Sequence, residues 1–460
     1  MLATRSAPGA PATPVDASLE TSVSLGAIVL AAAVPLVFLH IDYQPSVSLA
    51  LGGTDLAITA ADLALLAVAI VALRALVRGG VAPLRAGRPA WIAIVALLSW
   101  MTFTTIRAGV GDSDYAFTTH AVSVVKFAEY ATLAAATPLL LRTPAEVRLF
   151  LRMLVLWGGV AVIVGLGQFF GVNVFEAWRP GRRQPSFLGH HDFAALALCS
   201  IGVAFAGILG GKRGRTWFVW IAVVVGAVGT ILSGAVAAVG GLVLAAGSSI
   251  AVAWRPLRPG FARAAAVVGI VVVAGFGVIA LRGGEFDPFL RFLGVGQREQ
   301  QQGVESYSHR TVLAYIGVRI FRDNPIVGVG WQGSGEPGTF MRYVPDAKRR
   351  FPDVAAEAFP APDRPWGVQD AYVQALADMG VIGLLLFVAP FGAGIWLAAS
   401  ALRRGGGDGA RLGLTALVIV TGTIGIWSAE GLVSGIPLSA VTWIGVGLAV
   451  TAASQRRSTA

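Results

Sequence analysis

Long apolar runs constrain the fold of this chain more than any other feature of the sequence. A helix needs roughly 20 mostly apolar residues to cross the hydrocarbon core of a bilayer. Twelve runs approach that length, and we therefore expect an all-α integral membrane protein with about 12 transmembrane helices. The runs lie near 24–41, 57–77, 90–106, 120–141, 149–170, 191–210, 216–233, 235–254, 263–281, 370–400, 411–430 and 436–454.

The composition excludes several function classes. Only 13% of the residues are charged, against about 25% in soluble domains. The chain is therefore not a soluble enzyme, a nucleic-acid-binding protein or a disordered scaffold, and the partner that the composition implies is the lipid bilayer. The single cysteine, Cys199, allows no intramolecular disulfide.

The runs divide the chain into five parts. Residues 1–22 are Pro/Ala/Ser-rich and predict a disordered cytoplasmic tail. Helices one to nine occupy 23–281, a large extracytoplasmic loop or cap follows at 282–369, and helices ten to twelve occupy 370–454. Residues 455–460 form a second cytoplasmic tail. Within the loop, a helix is expected from about His309 until Asn324-Pro325 ends it.

The distribution of basic residues sets the expected orientation. Every even-numbered connection carries basic residues, whereas most odd-numbered connections have almost none. Because basic residues concentrate on the cytoplasmic side, both termini are expected in the cytoplasm. Two outer connections depart from this pattern. The connection at 171–190 carries three arginines and the loop at 282–369 carries eleven basic residues, so their charge requires an explanation other than topology.

The strongest local constellation is RPGRRQPSFLGHHDFAALAL at 179–198. A guanidinium group can donate two parallel hydrogen bonds to phosphate oxygens, so its arginines are predicted to bind a phosphate group. The following polar residues are candidate acceptors for the proton of a hydroxyl. The alternative is a basic loop on anionic head groups, with the polar residues capping a helix. The arginines are Arg179, Arg182 and Arg183, and the acceptors are His190, His191 and Asp192.

Other charged residues carry weaker expectations. Arg310 opens the loop helix, and Arg319 and Arg322 follow on other faces, so Arg310 is placed to point elsewhere. Lys126 and Glu129 are three residues apart in one apolar run and are expected to form an ion pair. No metal site is predicted. The glycine-rich segment VGVGWQGSGEPG lets backbone approach a ligand closely.

Three segments together resemble the O-antigen ligase and polymerase family. SHRTVLAYIGVRIFRDNPIVGVG looks like the family's outer-loop signature, with an arginine before a helix and, after it, a turn of one proline followed by two glycines. QDAYVQALADMGVIG is similar to its re-entry motif, and RRQPSFLGHHDFAALA to an earlier conserved stretch. In this chain Gln369 stands where the ligases have a histidine.

The resemblance implies an inverting, metal-independent glycosyltransferase without a cofactor. It would move a glycan from a polyprenyl-diphosphate carrier to the hydroxyl of a glycan or glycolipid acceptor, on the outer face of the bacterial cytoplasmic membrane. Ligase and polymerase remain equally open. Arg310 would join the other arginines on the diphosphate, and the residues that position substrate would be Gln369, Tyr372, Gly328 and Gly330.

The resemblance leaves the base to be chosen among several residues. Either Asp370 takes the role of the family's histidine as proton acceptor, or one of His190, His191 and Asp192 does. Nearby arginines are expected to lower the pKa of Asp370. Its alternative role is a helix N-cap. The competing function from another class is a twelve-helix secondary transporter or exporter, although the link between helices six and seven is only five residues long.

Overall fold

The computed structural model describes residues 23–51, 54–211, 216–292, 305–404 and 407–455. The predicted tails at 1–22 and 456–460, and residues 293–304 of the loop, lie outside this described part. The protein is 77% helix, and an antiparallel hairpin, β1 (Ser46–Leu51) with β2 (Thr54–Thr59), pairs Ser46 with Thr59. The helices before the cap are α1 (Leu25–Val37), α2 (Ala60–Gly79), α3 (Arg88–Gly111), α4 (Phe117–Leu140), α5 (Pro144–Phe169), α6 (His190–Gly210), α7 (Thr216–Ser233), α8 (Val236–Leu257) and α9 (Phe261–Phe292).

The second part of the chain begins with three helices outside the apolar runs, α10 (Ser306–Asp323), α11 (Pro337–Phe340) and α12 (Val344–Arg350). It ends with α13 (Ala371–Arg404), α14 (Asp408–Trp427) and α15 (Pro437–Ser454). Every one of the twelve apolar runs coincides with a helix. The loop helix α10 begins three residues before the expected start at His309, and it ends directly before Asn324-Pro325 as predicted.

The described residues contain nine helices that are long and apolar enough to cross a membrane. They are α2, α3, α5, α6, α8, α9, α13, α14 and α15. The twelve-helix expectation exceeds this count for two reasons. Helices α1 and α7 are shorter, and α4 carries Lys126 and Glu129 within its apolar sequence. The chain is thus an all-helical, multi-pass membrane protein.

The helices separate into an inner and an outer group. In α15, 89% of the residues of the apolar segment are buried, and in α6 and α14 the values are 83% and 78%. In α2 only 28% is buried. Its exposed residues recur every three or four positions along one face, which is the spacing of a helical stripe that faces lipid. The stripe consists of Leu63, Leu66, Ile70, Leu73 and Val77.

Capping boxes fix the start of two outer helices. The Thr59 hydroxyl accepts the backbone N–H of Asp62, and the Asp62 carboxylate accepts that of Thr59, at the start of α2. Thr143 and Glu146 repeat the arrangement at α5, with Pro144 in the first helical position. These side chains satisfy N–H groups that have no partner within the helix.

The expected ion pair inside α4 is wrong. The Lys126 ammonium lies 2.9 Å from the Asp62 carboxylate of α2, and it also donates to the Ala57 carbonyl oxygen. Helical spacing placed Glu129 within reach, but the structure brings a carboxylate from a neighbouring helix closer. Lys126 therefore ties α4 to the start of α2, and Asp62, which the sequence left without a role, is its partner.

Residues 305–370 fold into a cap over one end of the bundle, which we call the cap end. Helix α10 contributes Val312, Ile316 and Ile320 to a small apolar core with Phe340 and Phe359. The Arg319 guanidinium lies 2.9 Å from the Asp346 carboxylate and holds α10 against α12. Arg319 therefore pairs within the cap, whereas Arg310 contacts residues of the bundle.

Candidate functional site

The tight turn between α7 and α8 gathers side chains from three other elements. Nδ1 of His190, in α6, donates to the Ser233 carbonyl oxygen at 2.9 Å. Arg282, in α9, donates to the Gly234 carbonyl oxygen at 3.0 Å. Gly234 has φ +60°, and a Cβ there would lie 2.6 Å from Cβ of Arg183. The turn therefore holds two arginines and a histidine close together at the cap end.

A buried glutamine shapes the loop that carries Arg183. The Gln184 side chain accepts the backbone N–H of Trp178 and donates to the carbonyl oxygens of Arg179 and Arg182. The backbone N–H of Gln184 donates to the Leu232 carbonyl oxygen at 2.7 Å. These bonds fold the loop back onto the end of α7. Arg183 is turned inward and half-buried, whereas Arg179 and Arg182 are exposed.

Trp178 packs between Arg183 and His190. The Arg183 guanidinium lies 4.2 Å from the centre of the indole ring, and the His190 ring meets the same indole edge-on at 4.5 Å. A planar guanidinium over an aromatic face gains cation–π attraction, which holds the Arg183 side chain beside His190. Of the three arginines predicted in this loop, the structure brings Arg183 to the histidines.

Arg310 connects the cap to the bundle. One of its Nη atoms lies 3.0 Å from Nε2 of His191, and the other donates to the Ala429 carbonyl oxygen. A guanidinium has only donors, so Nε2 of His191 accepts and the proton of the neutral ring lies on Nδ1. Among the described residues, Nδ1 of His191 and Nε2 of His190 are buried without a hydrogen-bond partner.

A carboxylate completes this cluster. Oε2 of Glu430, in the connection between α14 and α15, lies 4.0 Å from Nε2 of His191. Burial raises the pKa of Glu430, and the Arg310 charge opposes that effect. Burial likewise lowers the pKa of Arg310, and Glu430 opposes it. We call Arg183, Arg282, Arg310, His190, His191 and Glu430 the arginine–histidine cluster.

Asp192 lies beside this cluster with a structural partner. Its Oδ1 accepts the backbone N–H of Leu438 at 2.7 Å. Leu438 is the second residue of α15, and its N–H has no partner within that helix. Asp192 therefore connects the start of α6 to the start of α15, with little of its side chain exposed.

Asp370 has the geometry of a helix N-cap. Its Oδ1 accepts the backbone N–H groups of Tyr372 and Val373, both at 2.9 Å. The expectation that arginines lower its pKa is wrong, because burial raises the pKa and only these two backbone bonds oppose the increase. The predicted arginines contact other groups instead. This geometry explains why an acidic residue precedes α13 without requiring a base there.

The two residues beside Asp370 contribute differently. The Tyr372 hydroxyl donates to the Ile424 carbonyl oxygen at 2.7 Å, so it ties α13 to α14. Gln369 is half-buried at the base of the cap. The structure therefore gives Tyr372 a packing contact inside the bundle, whereas its predicted role was to position substrate.

Gly328 and Gly330, which were expected to approach a ligand, lie in a turn that packs against the chain's own backbone. Helix α13 is interrupted at Gly380, and the turn after α10 lies in that break. The N–H groups of Val329 and Gly330 donate to the carbonyl oxygens of Ala377 and Asp378. Gly328 has φ +71°, and a Cβ there would collide with the Asp378 backbone.

The Asp378 side chain completes this attachment. The buried carboxylate accepts the backbone N–H groups of Gln332 and Ser334 at 3.0 and 2.9 Å, and the Gln374 amide at 3.0 Å. These bonds fix the glycine-rich segment to α13 and so fix the position of the cap. Arg310 reaches His191 because the cap is held in this way.

The remaining histidines also lie at the cap end. Nε2 of His120 lies 2.6 Å from the Glu336 carboxylate, and Nδ1 of His309 donates to the Ala358 carbonyl oxygen. His40 donates its backbone N–H to the Phe187 carbonyl oxygen. Each therefore connects the bundle or the cap to a neighbouring segment. Within the described residues, no group of three His, Cys, Asp or Glu side chains could hold a metal ion.

Sequence reasoning missed three of these residues. Arg282 was counted only as one of the loop's basic residues, although a lone arginine at the end of an apolar run is a signal in itself. Glu430 lies at the end of an apolar run, and a single acidic residue at that position does not by itself indicate a site. Asp378 lies within the QDAYVQALADMGVIG segment, where helical spacing alone does not show a buried carboxylate.

No protein-family model matches this chain, and no curated protein matches it.

Proposed function

We propose that the protein is a membrane glycosyltransferase that moves a glycan from a polyprenyl-diphosphate carrier to an acceptor hydroxyl. The observation that carries the proposal is the arginine–histidine cluster. Three arginines from three separate segments meet two half-buried histidines and one carboxylate at one end of a membrane bundle. The site supports ligase and polymerase chemistry equally, because both use the same donor.

The arginines suit a diphosphate leaving group. As the bond between the anomeric carbon and the diphosphate oxygen breaks, negative charge accumulates on that oxygen. Fixed guanidinium groups stabilise this charge more in the transition state than in the bound donor. Arg183 and Arg282 are held by the turn at Gly234, and Arg310 by Ala429, so little reorganisation is needed when the charge develops.

We assign the base to Glu430. The acceptor oxygen forms the new bond to the anomeric carbon on the face opposite the leaving diphosphate, and its proton passes to the carboxylate. Burial raises the pKa of Glu430, which makes it a stronger base than an exposed glutamate. His190 remains a secondary candidate through its unpaired Nε2, whereas the unpaired Nδ1 of His191 already carries the proton of that ring. Asp192 and Asp370 are engaged by backbone N–H groups.

The arginine distribution supports a bacterial cytoplasmic membrane protein with both termini in the cytoplasm and the cap outside. The cap end carries the two basic connections that break the positive-inside pattern. In this scheme a carrier lipid reaches the arginine–histidine cluster from the bilayer, and a glycan or glycolipid is the acceptor. No cofactor takes part in this scheme.

Loss of the gene tests the function in the cell. We expect the mutant to lack a surface polysaccharide or its attachment to a glycolipid, and to accumulate the polyprenyl-diphosphate-linked glycan. The wild-type gene should restore the surface glycan, and an Arg310→Lys gene expressed to the same level should not. Unchanged polysaccharide, capsule and glycolipid profiles in the mutant would overturn the proposal.

A further inference from the structure

The end of the bundle opposite the cap contains a second candidate site. A cavity of about 220 Å³ opens between α5, α6, α7 and α14. It is bordered by Gly207 in α6, and the arginine–histidine cluster includes His190 in the same helix. Seventeen helical residues separate these positions, or about 25 Å along the axis. The cavity is therefore a different site from the arginine–histidine cluster.

Charge and apolar surface are separated within this cavity. Arg148 and Arg152 lie one turn apart on α5, and Arg411 lies in the first turn of α14. Arg411 lies 4.0 Å from the Asp408 carboxylate, which is the one acidic group of the lining. Arg148 and Arg152 are exposed, so their donors are available to an anion. The cavity thus carries three arginines against one carboxylate.

The rest of the lining is apolar. Leu151 of α5, Val203 of α6, and Phe218 and Val219 of α7 form walls that are partly exposed and parallel to the helices. A small hydrophilic anion would gain nothing from these walls. A molecule with an anionic head and an apolar chain would satisfy both parts of the cavity, with its phosphate at the arginines and its chain against the walls.

We propose that this cavity binds an anionic phospholipid. The phosphate accepts hydrogen bonds from Arg148, Arg152 and Arg411, and one acyl chain packs along Leu151, Val203 and Phe218. The lipid joins four helices at the end where the bundle has no cap. Its binding is independent of glycan transfer at the arginine–histidine cluster.

A paired set of variants tests this site on the full-length protein in detergent micelles. Phosphatidylglycerol and phosphatidylcholine are titrated separately, and the bound lipid is counted by native mass spectrometry. Arg148→Gln with Arg152→Gln should weaken phosphatidylglycerol binding at least about tenfold. The control pair is Arg74→Gln with Arg78→Gln, because these exposed arginines have the same spacing at the same end of the bundle.

The outcomes separate the possible sources of an anion. The site is supported if the protein prefers phosphatidylglycerol to phosphatidylcholine, if Arg148→Gln with Arg152→Gln loses this preference, and if the control pair keeps it. Val203→Trp, which fills the cavity without removing charge, should also abolish binding and serves if the arginine pair fails to fold. Equal binding of phosphatidylcholine would overturn the proposal, as would equal loss in both pairs. Displacement of the lipid by millimolar inorganic phosphate would show a free-anion site and would also overturn it.

Discussion

At the scale of single residues, Glu430 carries the most direct consequence of the proposed chemistry. Its carboxylate lies 4.0 Å from the His191 ring, and the charge of Arg310 acts to lower its pKa. A general base works only in its ionised form, and burial raises the pKa of this carboxyl. Transfer should therefore fail as pH falls through a value above the ordinary pKa of glutamate.

Glu430→Gln should abolish transfer at every pH without loss of the inserted protein. The measurement is the initial rate of glycan transfer against pH for purified enzyme. Glu357→Gln, which changes an exposed carboxylate of the cap, should keep the wild-type profile. A normal profile in Glu430→Gln would contradict this assignment and leave His190 as the candidate base.

Asp370 is predicted to act as a cap and not as a base. Asparagine is as good an N-cap as aspartate, so Asp370→Asn should keep near-normal transfer and thermal stability. Asp370→Ala removes the acceptor for two backbone N–H groups and should cost about 1 kcal/mol of stability. Transfer rates and melting temperatures of both variants in detergent provide the check. Loss of transfer in Asp370→Asn with an unchanged melting temperature would restore the base role.

The sequence identified the region of the site but not its contacts. Arg183, Arg310, His190 and His191 were all predicted, because arginines on an outer connection need a reason. Their partners could not be predicted from spacing. Glu430 lies 120 residues after Arg310, and only the packing of α14 and α15 against α6 brings the two together.

At the scale of elements, the break in α13 is the joint that positions the cap. Gly380 has φ +68° in the middle of a long helix, and a Cβ there would collide with the Ile326 backbone. Gly380→Ala should cost roughly 1–3 kcal/mol and lower the melting temperature. Gly392→Ala is the matched control in the same helix, because a Cβ there meets no described atom within 4 Å. Equal melting temperatures for the two variants would show that the break at Gly380 does not contribute to the stability of the fold.

The helices themselves were predictable from the apolar runs, since each run coincides with one. The break in α13 was not predicted, because a single glycine in a mostly apolar run does not by itself end a helix. A glycine inside such a run is common, and its positive φ becomes apparent only when the turn at Gly328 packs against it. The pair Lys126–Asp62 was missed for the same reason, as it joins two helices.

At the scale of the whole molecule, the orientation in the membrane follows from the proposed site. Single cysteines are introduced after Cys199→Ser at Arg182, Glu357, Arg78 and Arg404, which are all exposed. An impermeant thiol reagent should label the first two in intact cells and the last two only after permeabilisation. Labelling of Glu357→Cys only after permeabilisation would place the cap inside the cell and invert the orientation.

The most direct test of the proposed function is the rate of glycan transfer by purified protein, supplied with a polyprenyl-diphosphate-linked oligosaccharide and an acceptor. Wild-type protein should release polyprenyl diphosphate and form product. Arg310→Lys keeps the charge but loses the planar pair of donors, and a contact worth roughly 3 kcal/mol corresponds to about a hundredfold in rate. Arg322→Lys, at an exposed position of the same helix, should retain the wild-type rate. A full rate in Arg310→Lys, or no transfer by the wild type from any such donor, would contradict the proposal.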